Sequence, residues 1–208
     1  MNQEKRNIII SLQDKSDDEI KQIINNNTLN YVNLALNIHG ELNIGNMIRS
    51  SHLCGCKKFI IFGRRKYDSR SCVGVSHYML IERVFGIKNQ ENTLKEILNN
   101  NDYILDENIF YNFIIDNKYL PIFIEQDKFS IQVNETNIKN ILMYANELHL
   151  TPIFIYGNEC YGIPQNILDL RNKFQFSYTL ELVQKGVIPS FNVSNCLSII
   201  SYKVMEII

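Results

Sequence analysis

Residues 31–62 read YVNLALNIHGELNIGNMIRSSHLCGCKKFIIF, and they decide the fold class. Residues 31–38 alternate closely enough between apolar and polar types to predict a strand. Asn43 then stands where a helix N-cap belongs, and Ile44, Met47, Ile48 and Ser51 follow at i, i+3, i+4 and i+7. Residues 58–62 (KFIIF) read as a short buried strand that stops at Gly63. Strand, helix and strand make a β-α-β unit, whose default setting is a mainly parallel sheet with helices on both faces. One feature is odd for a helix that only packs: Gly45 stands near its start, and Arg49 lies one step from its apolar stripe.

Working outward, residues 16–24 predict a short amphipathic helix entered through Asp17, Asp18 and Glu19, acidic residues that favour a helix N-terminus. Residues 91–98 and 107–116 read as helices and residues 120–125 (LPIFIE) as a strand. Residues 137–148 form an amphipathic helix with Ile138, Ile141, Leu142, Ala145 and Leu148 on one face. The run TPIFIY stops at Gly157 and leads into the loop NECYGIP. Residues 174–182 predict another strand, and a last helix after Pro189 carries Val193, Cys196, Leu197, Ile200 and Val204 at core spacing. The asparagine runs at 25–27 and 99–101 mark loops or frayed helix ends.

With 208 residues, 45% hydrophobic and 21% charged, the chain has the composition of one globular domain with a full core, or of two small ones. No apolar run approaches the roughly 18–20 residues that span a bilayer, and residues 1–10 are not a signal peptide. Five cysteines without a C-x-x-C spacing suit a reducing compartment, so a cytoplasmic protein is expected. His52, Cys54 and Cys56 invite a metal reading, but residues two apart on a helix face different ways, and no metal is expected.

The formal net charge of −1 hides an asymmetry: residues 1–90 are net basic and residues 91–208 net acidic. Lys57, Lys58, Arg64, Arg65, Lys66 and Arg70 crowd into one stretch against Asp68. Such a cluster is either a solvated loop or a phosphate-contacting one, and Arg64, Arg65, Lys66 and Arg70 are the candidate RNA-binding residues.

Three loops carry the chemistry. In an open α/β sheet, ligands bind beyond the carboxyl ends of the strands. NIGNMIR follows the first strand, GNECYGIP follows TPIFIY, and QKGVIPSFN follows the strand ending near Leu182. One sheet edge should therefore gather Glu159, Arg49, Asn43, Asn192 and Ser190, with Gly157, Gly162 and Gly186 letting backbone amides approach a flat ligand. Each piece alone has a bland structural reading; the ordered set is far more specific.

That set resembles the signature motifs of the SpoU/TrmH class of SPOUT RNA methyltransferases. N-x-G-x-x-x-R is matched by Asn43, Gly45 and Arg49, and G-x-E-x-x-G by Gly157, Glu159 and Gly162, followed by Ile163. Against I-P-x-x-G-x-x-x-S-L-N-V-S the chain has LVQKGVIPSFNVS, which keeps Gly186, Ser190, Asn192, Val193 and Ser194. It departs at the Ile-Pro pair, here Leu182-Val183, and at Phe191. The resemblance covers residues 31–88 and 119–208, after an N-terminal extension of residues 1–30 and with a longer segment near 90–118. Gln184 and the pair Glu125-Gln126 are similar to the large eukaryotic tRNA guanosine ribose methyltransferases.

The resemblance implies an α/β fold with a deep C-terminal trefoil knot, its threaded part near residues 174–195, although ordinary topology makes knots very rare. It implies S-adenosylmethionine held in the knot loops, with Gly157, Asn158, Gly162, Leu182, Gly186 and Phe191 as cofactor-binding residues. It implies that Arg49 activates a ribose 2′-hydroxyl, that Asn43, Ser190 and Asn192 position Arg49 and the ribose, and that Glu159 braces the second loop. Tied to it are a homodimer and an RNA substrate, with a tRNA D-loop guanosine as first expectation and rRNA as the alternative. An inactive SPOUT-fold RNA-binding protein is a further reading; so is an ordinary nucleotide-binding domain, which lacks its G-x-G-x-x-G here.

Overall fold

The computed structural model describes residues 8–63, 67–86 and 105–208. The chain enters through α1 (Asp17–Asn26). The Ser16 hydroxyl accepts from the Glu19 amide at 3.3 Å, and the Glu19 carboxylate accepts from the Ser16 amide at 2.8 Å, a reciprocal cap at the acidic first turn. There follow β1 (Leu29–Leu36), α2 (Glu41–Leu53), β2 (Cys56–Phe62) and β3 (Ile81–Val84). Beyond Gly86 come α3 (Glu107–Asp116), β4 (Tyr119–Ile124), β5 (Ile131–Gln132), α4 (Glu135–Glu147), β6 (Thr151–Tyr156), α5 (Gln165–Leu168), β7 (Tyr178–Glu181) and α6 (Val193–Ile207). Among the described residues the strands form one sheet in the order β3-β2-β1-β6-β4-β7-β5, and every pairing is parallel.

Parallel strands covered on both sides must be apolar on both, and β1, β4 and β6 are buried along nearly their whole lengths. On one face Tyr31 and Ala35 of β1 pack with Ile44, Met47 and Ile48 of α2, Ile141 of α4, and Leu197 and Ile200 of α6. On the other, Val32, Leu34 and Leu36 pack with Phe110 and Ile114 of α3 and Ile167 of α5. Within the first face lies a polar pin. Asn33, fully buried in β1, donates from its amide to Ser51 Oγ of α2 and Ser201 Oγ of α6, each at 2.9 Å. A buried amide is tolerated when it is hydrogen-bonded, and this one fixes two helices on one strand. Ser198 of α6 adds a bond to Ser50 of α2 at 2.7 Å.

Two expectations change, and two short strands appear that the sequence did not announce. Asn43 does not cap α2: the helix starts at Glu41 after Gly40, and the Asn43 side chain reaches Glu159 instead. The strand expected over 174–182 shrinks to β7, because Phe174 packs into the opposite core and stacks on Tyr111 with ring centroids 5.0 Å apart. The short strands β3 and β5 lack a strong apolar pattern of their own. The helix expected at 91–98 lies outside the described residues. Among the described residues, no helix is long and apolar enough to cross a membrane, and no group of His, Cys, Asp or Glu is arranged to hold a metal.

Gly45 is in α2 for packing, not for φ. A Cβ there would run into the Ser71 side chain, and it would also sit 3.0 Å from the Asp68 carbonyl oxygen, which no rotamer change moves. Overpacking of this kind costs about 1–3 kcal/mol, and the helix propensity gained by alanine returns about 1. Gly45→Ala should therefore lower the melting temperature by a few degrees, measured by thermal denaturation.

Candidate active site

The carboxyl ends of β1, β4, β6 and β7 lie side by side, so the loops that leave them meet along one edge. The β6 loop is built tightly. Asn158 and Gly162 exchange backbone hydrogen bonds at 2.9 Å in both directions, with Gly162 at φ +66°. The Asn158 side chain accepts from the amides of Cys160 (2.8 Å) and Tyr161 (3.3 Å) and donates to the Asn37 carbonyl at 2.8 Å. Buried at the cavity wall, it holds the loop in shape. A Cβ on Gly157 would strike the backbone of Gly162 and Ile163, and one on Gly162 would strike the Glu125 carboxylate.

Glu159 is the hub. One oxygen accepts from the His39 amide at 2.9 Å; the other accepts from the Gly40 amide at 2.9 Å and from Asn43 Nδ2 at 2.8 Å. Burial works against its charge, but the hydrogen bonds from Asn43, His39 and Gly40 outweigh it and hold the carboxyl below its ordinary pKa. Asn43 Oδ1 in turn accepts from Asn192 Nδ2 at 3.3 Å. Asn192 caps α6, its oxygen accepting from the Ser194 amide at 2.9 Å and the Ser194 hydroxyl at 2.6 Å. One polar chain thus runs from the β6 loop through the first turn of α2 to the start of α6.

Beside this chain opens a cavity of about 430 Å³. Gly157, Asn158, Gly162, Leu182 and Phe191 line it, as do Glu159, Ser190 and Asn192. Gly186 does not; its surroundings are open. The loop that carries Gly186 is cinched by a bond from Gln184 Nε2 to the Pro189 carbonyl at 2.7 Å, one residue after Val183, where the motif has a proline. Arg49 is not in the cavity of its own chain either. It is exposed on the outer side of α2, between the exposed Leu42 and Leu53, and has no hydrogen-bond or ion-pair partner among the described residues.

Among the described residues the lining carries three carboxylates, Glu125, Glu159 and Glu181, and neither lysine nor arginine. Glu125 is the residue whose part sequence reasoning missed: its carboxylate accepts from the Ile163 amide at 2.9 Å and so ties the end of β4 to the β6 loop. In the sequence Glu125 ends the LPIFIE strand and opens the Glu125-Gln126 pair, but nothing there gives it a bond to the β6 loop. Cys196, on the same wall, has its thiol pushed up to about 12 by burial and by the nearby Glu125 charge.

Two cations of the basic stretch are paired within the chain. Arg70 forms a fork with Asp68 at 2.6–3.0 Å, and Lys58 pairs with Glu82 at 2.7 Å. Arg64, Arg65 and Lys66 lie outside the described residues.

No family model matches the chain, and no curated protein matches it. Solved structures do. The TrmH/SpoU tRNA modifying enzyme of A. aeolicus superposes with a TM-score of 0.62 at 15% identity, covering 92% of this chain and 83% of its own. An AdoMet-bound rRNA methyltransferase from Sinorhizobium meliloti gives 0.57 at 16%, covering 85% of this chain and 55% of its own. An RNA 2′-O ribose methyltransferase gives 0.56 at 16%, covering 87% and 57%. The chain therefore has the SpoU/TrmH-type α/β-knot fold, with the knotted C-terminal region that this fold carries.

Proposed function

We propose that the chain is an S-adenosylmethionine-dependent RNA methyltransferase that methylates a ribose 2′-hydroxyl. The observation that carries this reading is the charge of the cavity. Its volume suits a ligand of cofactor size, and among the described residues its wall holds three carboxylates and no cation. A dinucleotide or ATP would bring phosphates against those carboxylates. A molecule with a sulfonium and an ammonium group against a single carboxylate is net positive and finds complementary charge there, and its adenine and ribose find Leu182 and Phe191. When bound, it supplies an electrophilic methyl group.

The residues divide the remaining work. Glu159, ionised at neutral pH, locks the β1 and β6 loops together so that the cavity keeps its shape. Asn43, Asn192 and Ser190 present the ribose; holding nucleophile and methyl in line is worth about 7–11 kcal/mol of the barrier. An arginine keeps its proton near neutral pH and does not act as a base there. Arg49 instead stabilises the alkoxide as it forms, while water or an RNA phosphate takes the proton. Since Arg49 lies outside its own cavity, two copies docked through α2, with Leu42 and Leu53 in the contact, would bring it to the cavity of the partner.

The fit to eukaryotic tRNA guanosine enzymes, resting on Gln184 and Glu125-Gln126, makes tRNA the first substrate to test and rRNA the second. Radiolabelled methyl transfer to each, followed by mapping, decides between them. S-adenosylmethionine or its demethylated product should raise the melting temperature, by a stabilisation of about 2.7 kcal/mol at a hundredfold excess over Kd. NAD and ATP should not; the reverse pattern would replace this reading with a nucleotide-binding one.

A further inference from the structure

Tyr161 is exposed where the fold spends most on order. It lies between Cys160 and Gly162, both on the cavity wall, yet it points out, with 82% of its surface in solvent. Among the described residues its side chain has no hydrogen bond and no ring contact. A tyrosine on a slack loop would call for no comment, but this turn is braced from three sides. Asn158 accepts from the Tyr161 amide and donates to Asn37, the Asn158–Gly162 bridge closes the turn, and Glu125 holds Ile163. The ring therefore stands at the rim of the cavity on a backbone that is already ordered. Such a platform loses little conformational entropy when something lands on it.

The chemistry of the cavity narrows what lands. Glu125, Glu159 and Glu181 repel phosphate from its interior, so an RNA strand must be held at the rim by groups that tolerate that field. A neutral aromatic ring does this, because any nucleobase stacks on it whatever the sequence. We propose that Tyr161 is the docking platform for a base of the RNA substrate beside the reacting ribose. This rests on the methyltransferase reading and adds to it the residue that seats the nucleotide. The contact is made by the ring face, so the phenol hydroxyl is dispensable.

The chain contains no tryptophan, so Tyr161→Trp introduces a single indole. Its emission should be quenched when unfractionated tRNA or total rRNA is added, and should not respond to S-adenosylmethionine alone or to protein concentration. Tyr161→Phe should keep the RNA affinity. Tyr161→Ala should raise Kd and KM for RNA by about five- to 150-fold, with cofactor affinity and melting temperature unchanged. An indole that stays silent while RNA binds and is methylated overturns the proposal and leaves the methyltransferase reading intact. A response to protein concentration alone also overturns it, because the ring would then belong to a contact between copies. If S-adenosylmethionine gives no thermal shift but RNA still quenches the indole, the methyltransferase reading fails while base docking stands. If the unaltered protein binds neither, both fall.

Discussion

Arg49→Ala loses at least about a hundredfold in methyl transfer while folding normally and binding S-adenosylmethionine as the parent protein does. Removing one preorganised group that meets developing charge costs that much or more in comparable sites. The separation of effects follows from position. Arg49 is exposed, has no partner among the described residues and does not line its own cavity, so neither the fold nor the cofactor depends on it. Arg49→Lys keeps the charge and drops the planar fork. Activity retained in the lysine variant identifies a purely electrostatic role, and activity lost identifies a geometric one. Mixing two inactive variants, Arg49→Ala and Glu159→Ala, tests whether the arginine crosses between copies. If it does, a mixed dimer holds one site with both residues intact and recovers activity; if Arg49 acts within its own chain, the mixture stays inactive. Wild-type turnover in Arg49→Ala would remove Arg49 from the chemistry and leave α2 contributing only Asn43.

Glu159→Ala strikes the hub, and both stability and cofactor binding should suffer. The carboxylate satisfies two backbone amides and one side-chain amide at a partly buried junction. A fully buried donor left without a partner costs about 1–3 kcal/mol. These three are only part-buried, so about 1 kcal/mol each, roughly 3 kcal/mol in all, is expected, read as a drop in melting temperature of about ten degrees. Glu159→Gln keeps the shape but turns an NH2 group toward one set of donors, and should recover only part of the loss. The pH dependence has a definite sign. Because the folded carboxyl titrates below its ordinary value of 4.5, it contributes stability above that pH, and the contribution disappears as pH falls through the folded value. The alanine variant should therefore show a flatter loss of stability below pH 4.5 than the parent. Parallel acid-denaturation curves for the two would show that Glu159 is not the hub.

The strands were legible where burial on both faces forces an unbroken apolar run, as in LPIFI and TPIFIY. They were illegible where tertiary pairing makes the strand: Ile131 and Gln132 are both exposed and count as β5 only because β7 lies beside them. The meeting of Asn43, Glu159 and Asn192 followed from the rule that loops leave a parallel sheet on one edge. What each side chain does there did not follow. Asn43 looked like a cap because caps are what asparagines near helix starts usually are, and a carboxylate far along the chain outcompeted that local role. Glu125 gave almost no warning, since its partner is a backbone amide, which leaves no mark in sequence. Arg70 was legible in hindsight: Asp68 two residues earlier in a tight turn is close enough to claim it.

The strand order also sets a timetable for folding. β1 sits between β2, which follows it directly, and β6, which arrives late; Asn37 and Asn158, joined across that seam, are 121 residues apart. During synthesis the inner edge of β1 must wait, unpaired and apolar, until β6 has been made. Parallel pairings between distant segments are intrinsically slow to form, because the loop must close before the contact repays it. Renaturation should therefore be unhurried and prone to aggregation at high protein concentration, and a growing chain will need its hydrophobic edge sheltered until the seam is sewn.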